Sequence, residues 1–355
     1  MKKRIETIDI LRGIAIPFIL LLTHGYWGWV KVPYPIFDDI LIRIAYFGTG
    51  IFVTFTGTST FLFVNKKITD GENKKNIIFN ISKRALFIFT IPTLISILFW
   101  YIRSGEIINI RYLLYWNVFQ LIAVSMFAFF LIPFLRIRIR IFLYITLIPL
   151  IFLIGHLILF YKIEPILFLA SGTDFPFFPY ANYILFGLFI GDFLLNLANE
   201  NVIRYLIVFC SLGIIGVVNW AIWLREIDYL FIESIIWSLS ALLIVFSVFY
   251  YYFDMKNYEF KFKRYLLDWG RHSFSMFYVV SFLILVIEIF LSIFYWQYAR
   301  NLAIYEFFII FGIGCVIIYL LTLLWKTFEY KYGLEWFMRK FADFSFRKEK
   351  IPENT

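Results

Sequence analysis

The sequence predicts an all-α polytopic membrane protein with about ten transmembrane helices and both termini on the cytoplasmic side. Three observations carry that prediction. Hydrophobic residues make up 62% of the chain and charged residues only 16%, against roughly 45–50% and 25% in soluble domains. Apolar runs long enough for a hydrocarbon core of about 30 Å recur from end to end. Lys and Arg also segregate: with the first residues inside, 25 lie in connections on the inner side and 7 in connections on the outer side. Basic residues mark the cytoplasmic face, and only an even number of spans keeps every basic connection there.

The spans read as 10–30, 41–64, 85–102, 112–133, 140–161, 180–198, 203–224, 230–253, 274–295 and 303–325. Lys2-Lys3-Arg4 precedes the first run with no small-residue cleavage site, so that run is a retained helix rather than a removable signal. Asp9 stands where an N-cap residue belongs. The second and third spans are joined by a basic loop, 65–84. Pro149 interrupts the fifth span, which a membrane helix tolerates when neighbours satisfy the freed carbonyl. A second basic loop, 254–271, separates the eighth and ninth spans. Residues 1–339 form one transmembrane domain, and 340–355 are a polar cytoplasmic tail. The net charge of +9 is spread over short connections, as topology requires, so nucleic acid is not an expected partner. Cys210 and Cys315 sit inside apolar runs and act as small apolar fillers. No repeat of fixed period is visible, which argues against a solenoid.

Ionisable groups inside spans are costly and mark function. In the first span Asp9 and Arg12 are three residues apart, on one helical face where they can pair. His24 follows twelve residues after Arg12, about 18 Å farther along the helix axis, beside the aromatic cluster of Tyr26, Trp27 and Trp29. A neutral imidazole in a partly dry site can take a proton from a hydroxyl or amine. His156 falls in the outer half of the fifth span, where it reads first as a packing residue and second as a second base or orienting partner. His272 follows Arg271 at the inner interface. Glu233, Glu288 and Glu306 stand in the outer parts of their spans, where one of them could orient an imidazole. The three histidines lack any metal-ligand spacing, so no metal is expected. Orientation accounts for the basic residues of loop 65–84 by itself. A second reading is that Lys83 and Arg84, at the mouth of the third helix, hold phosphates of a cytoplasmic cofactor.

The opening Arg4-Ile5-Glu6-Thr7-Ile8-Asp9-Ile10-Leu11-Arg12-Gly13-Ile14-Ala15, with His24 behind it, resembles the start of the transmembrane acyltransferase superfamily. That superfamily includes heparan-alpha-glucosaminide N-acetyltransferase and bacterial membrane O-acyltransferases that modify cell-surface glycans. Further segments follow in the matching order. Phe55-Thr56-Gly57-Thr58-Ser59 resembles its F-x-S-G-x-S turn, and Trp116-Asn117-Val118-Phe119-Gln120-Leu121-Ile122 its W-x-V-L-Q-x-I segment. Phe177-Phe178-Pro179-Tyr180 with Gly187 and Gly191 is similar to its P-W…G-x-x-x-G helix. Gly270-Arg271-His272-Ser273 and Lys331-Tyr332-Gly333-Leu334-Glu335-Trp336 are similar to its late G-R-x-S and Y-G-x-L-E-W. The heparan-type branch is the nearer match, because the histidine of helix one is present. After Ser273 the pattern is broken at Phe277 and Val280, where relatives often carry Tyr and then His or Gln, and Thr23-His24-Gly25 lacks the Asn that many relatives place shortly after the histidine.

The resemblance implies transfer of an acyl group, acetyl by preference, from cytoplasmic acyl-coenzyme A to a sugar, glycan or lipid-linked acceptor at the outer face. It makes His24 the catalytic histidine and places Arg12, Lys83 and Arg84 near the coenzyme A phosphates. Asp9, Gly13, Gly57 and Gln120 become structural or orienting residues, and Thr23, Tyr26 or Asn219 candidate donors to an oxyanion. The expected setting is a prokaryotic plasma membrane, with self-association left open. On physics alone, a transporter or flippase for a small polar or lipid-linked substrate suits ten helices with buried charges as well.

Overall fold

The computed structural model describes residues 4–30, 35–104, 117–161, 177–196, 202–223, 230–294 and 302–343. These residues are helical throughout apart from turns and one isolated bridge between Val30 and Leu302. Among the described residues, eight stretches are long and apolar enough to cross a membrane. Two shorter apolar stretches, Val118–Phe134 and Tyr180–Asn196, fall where the fourth and sixth spans are predicted. The chain is an all-α, multi-pass integral membrane protein.

The first span is built from α1 (Glu6–Ile14), a π-helical turn (Ala15–Leu20) and α2 (Leu21–Trp29). Pro17 lies within the π turn, where its missing N–H is accommodated by the widened hydrogen-bond pattern. Asp9 is not the N-cap. The helix begins earlier, and the carboxylate of Asp254 caps it from across the bundle, accepting from the backbone N–H groups of Glu6 (2.8 Å) and Thr7 (2.9 Å). A distant carboxylate replaces the local cap because two helix ends meet here.

The predicted loop 65–84 is far shorter in the structure. α3 (Pro35–Thr69) continues past the apolar run and α4 (Lys74–Ser104) starts early, leaving a turn in which Gly71 takes a φ of 78°. Polar residues end the hydrophobic signal without ending the helix, which is why the loop was overestimated. α3 has 35 residues, about 52 Å at 1.5 Å per residue, so it protrudes beyond the hydrocarbon core.

α3 is the central helix, touching α1, α5, α7 and α9. Its closest partner is α7 (Phe177–Asn196), and glycine makes that approach possible. A Cβ at Gly57 would collide with the carbonyl of Ile184, and one at Gly187 with that of Thr54. The Thr58 hydroxyl donates to the carbonyl of Gly187 at 2.9 Å. Small residues at this interface substitute backbone contact for the hydrophobic drive that lipid removes.

α5 (Val118–Phe129) opens with a capping box. Asn117 Oδ1 accepts from Phe119 N (3.0 Å) and Gln120 N (2.9 Å), and Gln120 Oε1 accepts from Asn117 N (2.9 Å). Gln120 Nε2 also donates to Thr93 Oγ1 on α4 at 2.8 Å. Gln120 is therefore an architectural residue. α6 (Ile137–Tyr161) runs through Pro149 without breaking and is tied to α7 by a bidentate pair, Arg140 to Asp192, both at 2.8 Å. α8 (Val202–Trp223) and α9 (Leu230–Phe249) pack on each other, and a π turn (Tyr250–Met255) carries Asp254.

The second predicted loop, 254–271, contains a helix, α10 (Lys263–Arg271), which packs along α1. α11 (Ser273–Phe294) and α12 (Ile304–Thr327) complete the spans. A final amphipathic helix, α13 (Leu334–Asp343), returns against α4 and α11, so helix continues past residue 339. Nine and ten residues are too few to register as spans, so both short helices were silent in hydropathy.

Candidate active site

A cavity of about 220 Å³ opens between α1, α3, α4, α5, α10, α11 and α13. Every motif that gave the family resemblance, apart from the α7 segment and His24, sends a side chain into it. Arg12 comes from the opening motif, Thr56 and Ser59 from the α3 turn, and Phe119 from the α5 segment. Arg271 and Ser273 come from Gly270–Ser273, and Glu335 from the closing motif. Arg84 of α4 adds a third guanidinium.

Local folding explains how these groups meet. Gly13 and Gly270 let α1 and α10 touch backbone to backbone, which brings the neighbouring Arg12 and Arg271 to one place. Arg12 donates to Thr56 Oγ1 at 3.3 Å, and that hydroxyl in turn donates to the Phe52 carbonyl at 2.8 Å. The Nε of Arg12 is buried and has no hydrogen-bond partner. A buried guanidinium N–H without an acceptor is costly. Arg84 lies over the Phe63 ring at 4.1 Å, which fixes its plane.

Asp9 does not pair with Arg12, as the three-residue spacing suggested. It takes a bidentate contact from Arg4 (2.6 and 3.0 Å) and a longer one from Arg271 (3.7 Å). Arg271 sits equally far, 3.7 Å, from Asp268. It is held loosely between two carboxylates, where an incoming anion can compete for it.

Glu335 contributes the cavity's negative charge, but its oxygens are committed. Oε1 accepts from Phe274 N (2.6 Å) and Ser275 N (3.1 Å), and Oε2 takes the Ser275 hydroxyl. The carboxylate caps the start of α11 from α13. The turn before α13 places Glu329, Tyr330 and Tyr332 at positive φ, and His272 stacks on Tyr330 with ring centres 4.4 Å apart. His272 thus braces a turn.

The other candidate residues lie elsewhere. Lys83 does not line the cavity; its ammonium sits 4.5 Å from the Phe79 ring. His24 does not line it either. The imidazole is exposed rather than partly dry, at the far end of the first span, edge-on to Trp27 and 3.3 Å from Thr23 Oγ1 through Nδ1. The Thr23 hydroxyl donates to the Ile19 carbonyl at 2.8 Å. Its lone pair can then accept from Nδ1–H, a tautomer that leaves Nε2 as a base.

Glu306 caps α12, accepting from Ala303 N at 2.8 Å, and Asn219 is exposed and bonded to the Ile215 carbonyl of its own helix. The side chain of Glu233 lies outside the described residues. Phe277 packs on Phe119 and Val280 is fully buried, so these two departures from the family pattern are filled by apolar packing. Among the described residues, no three His, Cys, Asp or Glu side chains gather as a metal set would.

Arg271, Thr56 and Glu335 were missed as site residues in the sequence reading. The signal was present as paired dipeptides, Arg12-Gly13 and Gly270-Arg271, whose meaning needs the helices to meet. Neither a curated protein nor a solved structure matches the chain significantly. Residues 4–226 match the family model of the heparan-alpha-glucosaminide N-acetyltransferase catalytic domain, and the chain belongs to that membrane acetyltransferase family.

Proposed function

We propose that the protein transfers an acyl group, acetyl by preference, from acyl-coenzyme A to a hydroxyl or amine of a sugar, glycan or lipid-linked acceptor across the membrane. The observation that carries this reading is the convergence of Arg12, Arg84 and Arg271 on one cavity. Guanidinium groups bind phosphate bidentately, and three of them suit the phosphates of a coenzyme. The excess of Lys and Arg supports a cytoplasmic position for this end of the bundle, where the donor is available. Lys83 then stands near the mouth as a longer-range cation.

His24, in the opposite half, is the base. Nε2 takes the proton of the acceptor hydroxyl or amine as its oxygen or nitrogen attacks the thioester carbonyl. The new C–O or C–N bond forms, the C–S bond breaks, and the coenzyme leaves as a thiolate that recovers a proton. Membership of an acetyltransferase family favours this reading over a transporter or flippase.

The test uses purified protein in detergent with acetyl-coenzyme A. Wild type binds the coenzyme and releases free thiol with a panel of amino sugars and glycosides. His24→Ala retains binding and loses transfer by about 10²-fold or more, the usual range for a general base. Equal turnover by the two proteins removes His24 from the mechanism, and absence of coenzyme binding by wild type removes the donor.

A further inference from the structure

The geometry points to Phe119 as the gate that the thioester arm must displace on its way from the arginine cavity towards His24, and hence as the residue that sets the size of acyl group accepted. The inference rests on the acyl-coenzyme A reading above.

Chain direction shows where the cavity ends. Counting back along α3 from its turn at Thr69, the lining residues run from Phe63 through Thr60 and Thr56 to Phe52, the deepest. On α5 the deepest is Phe119, the second residue of the helix. Arg12 is level with Thr56, to which it donates, and Ile19 is level with Gly48, against which it packs. His24 is five residues farther on. Phe52 and Phe119 therefore stand between the arginines and the histidine.

They form a closed aromatic wall. The Phe119 ring lies 5.7 Å from Phe52, 4.8 Å from Phe274, 4.7 Å from Phe277 and 5.4 Å from Tyr278. Phe119 is only 2% exposed. Behind it, the Tyr278 hydroxyl is buried with no hydrogen-bond partner, a polar group placed to meet an amide or thioester oxygen. The cavity of about 220 Å³ is smaller than the roughly 300–1,000 Å³ that encloses a typical small ligand. On the reading above it takes the anionic part of the donor. The arm on that reading goes deeper, towards His24, and Phe119 is the ring that touches each of the other four. Its backbone N–H is fixed by Asn117, so opening is a side-chain rotation that leaves α5 in place.

The experiment measures affinities of the purified full-length protein for coenzyme A and for its acetyl, butyryl and hexanoyl thioesters by calorimetry. It compares wild type with Phe119→Ala and Phe119→Leu. The two variants are expected to bind free coenzyme A at least as tightly as wild type, because the arginines are untouched and the arm no longer has to displace the ring. The hexanoyl-to-acetyl affinity ratio should rise at least tenfold in Phe119→Ala and by less in Phe119→Leu. Unchanged ratios in both variants, with coenzyme A binding retained, overturn the gate while sparing the donor assignment. No coenzyme A binding by wild type overturns the donor assignment, and the gate falls with it.

Discussion

Gly13 and Gly270 face each other's helices with no room for a side chain: a methyl group at Gly13 would strike the Leu266 carbonyl, and one at Gly270 the Asp9 carbonyl. Both obstacles are backbone, which cannot rotate aside. The contact sets the spacing of α1 and α10 and therefore the distance between Arg12 and Arg271, the residues next to each glycine.

Gly270→Ala should destabilise the protein by about 1–3 kcal/mol, the usual cost of overpacking, and weaken coenzyme binding beyond what the lost stability explains. Thermal unfolding in detergent and calorimetry check the two effects. Gly312→Ala serves as the control, because a Cβ there meets nothing within 4 Å. Equal effects of the two substitutions would refute the role assigned to the contact.

Arg12 should be more sensitive to shape than to charge. Arg12→Gln and Arg12→Lys are both expected to weaken coenzyme A binding, the former by about 1.5–3 kcal/mol, as for hydrogen bonds to charged groups. Lysine keeps the charge but loses the planar fork that reaches Thr56. Full binding by Arg12→Lys would mean that the site reads charge alone.

The Arg140–Asp192 pair is a structural tie. Arg140 also donates to the Leu135 carbonyl (2.8 Å), and Asn196 donates to Asp192 (2.7 Å), so the carboxylate is nearly saturated. Asp192→Ala should cost about 1–3 kcal/mol by leaving a part-buried guanidinium with only the Leu135 carbonyl as acceptor. The double variant Arg140→Met, Asp192→Leu should recover most of that loss. A double variant as unstable as the single one would show that the ion pair stabilises the fold by more than apolar packing in its place does.

Lys263 gives a pH dependence. Burial pulls its ammonium pKa down, but hydrogen bonds to Glu259 and Glu6 outweigh this and leave it above its ordinary value. A raised folded pKa stabilises the protein fully below the unfolded value of 10.5, and the contribution fades as pH climbs through the higher folded value. Lys263→Met should therefore lower stability by about 1–3 kcal/mol at pH 8, and the difference from wild type should shrink above pH 10.5. A difference that stays constant across that range would exclude the linkage.

Hydropathy and charge asymmetry alone determined the class of this protein and the order of its spans. Each transmembrane helix must bury some 20 apolar residues whatever its neighbours do. The Arg12-Gly13 and Gly270-Arg271 dipeptides, the Asn117/Gln120 pair and Glu335 also stood inside the segments that resemble family motifs. What they are for was decided only by packing. Asp254 caps α1 from across the bundle, Glu335 caps α11 from α13, and Gly270 brings Arg271 to Arg12 from more than 250 positions away. Such contacts depend on which backbones approach one another, and hydropathy carries no information about that. The two short amphipathic helices, α10 and α13, escaped the sequence for the same reason. They rest on the bundle instead of crossing lipid, and only the folded bundle gives their apolar faces somewhere to go.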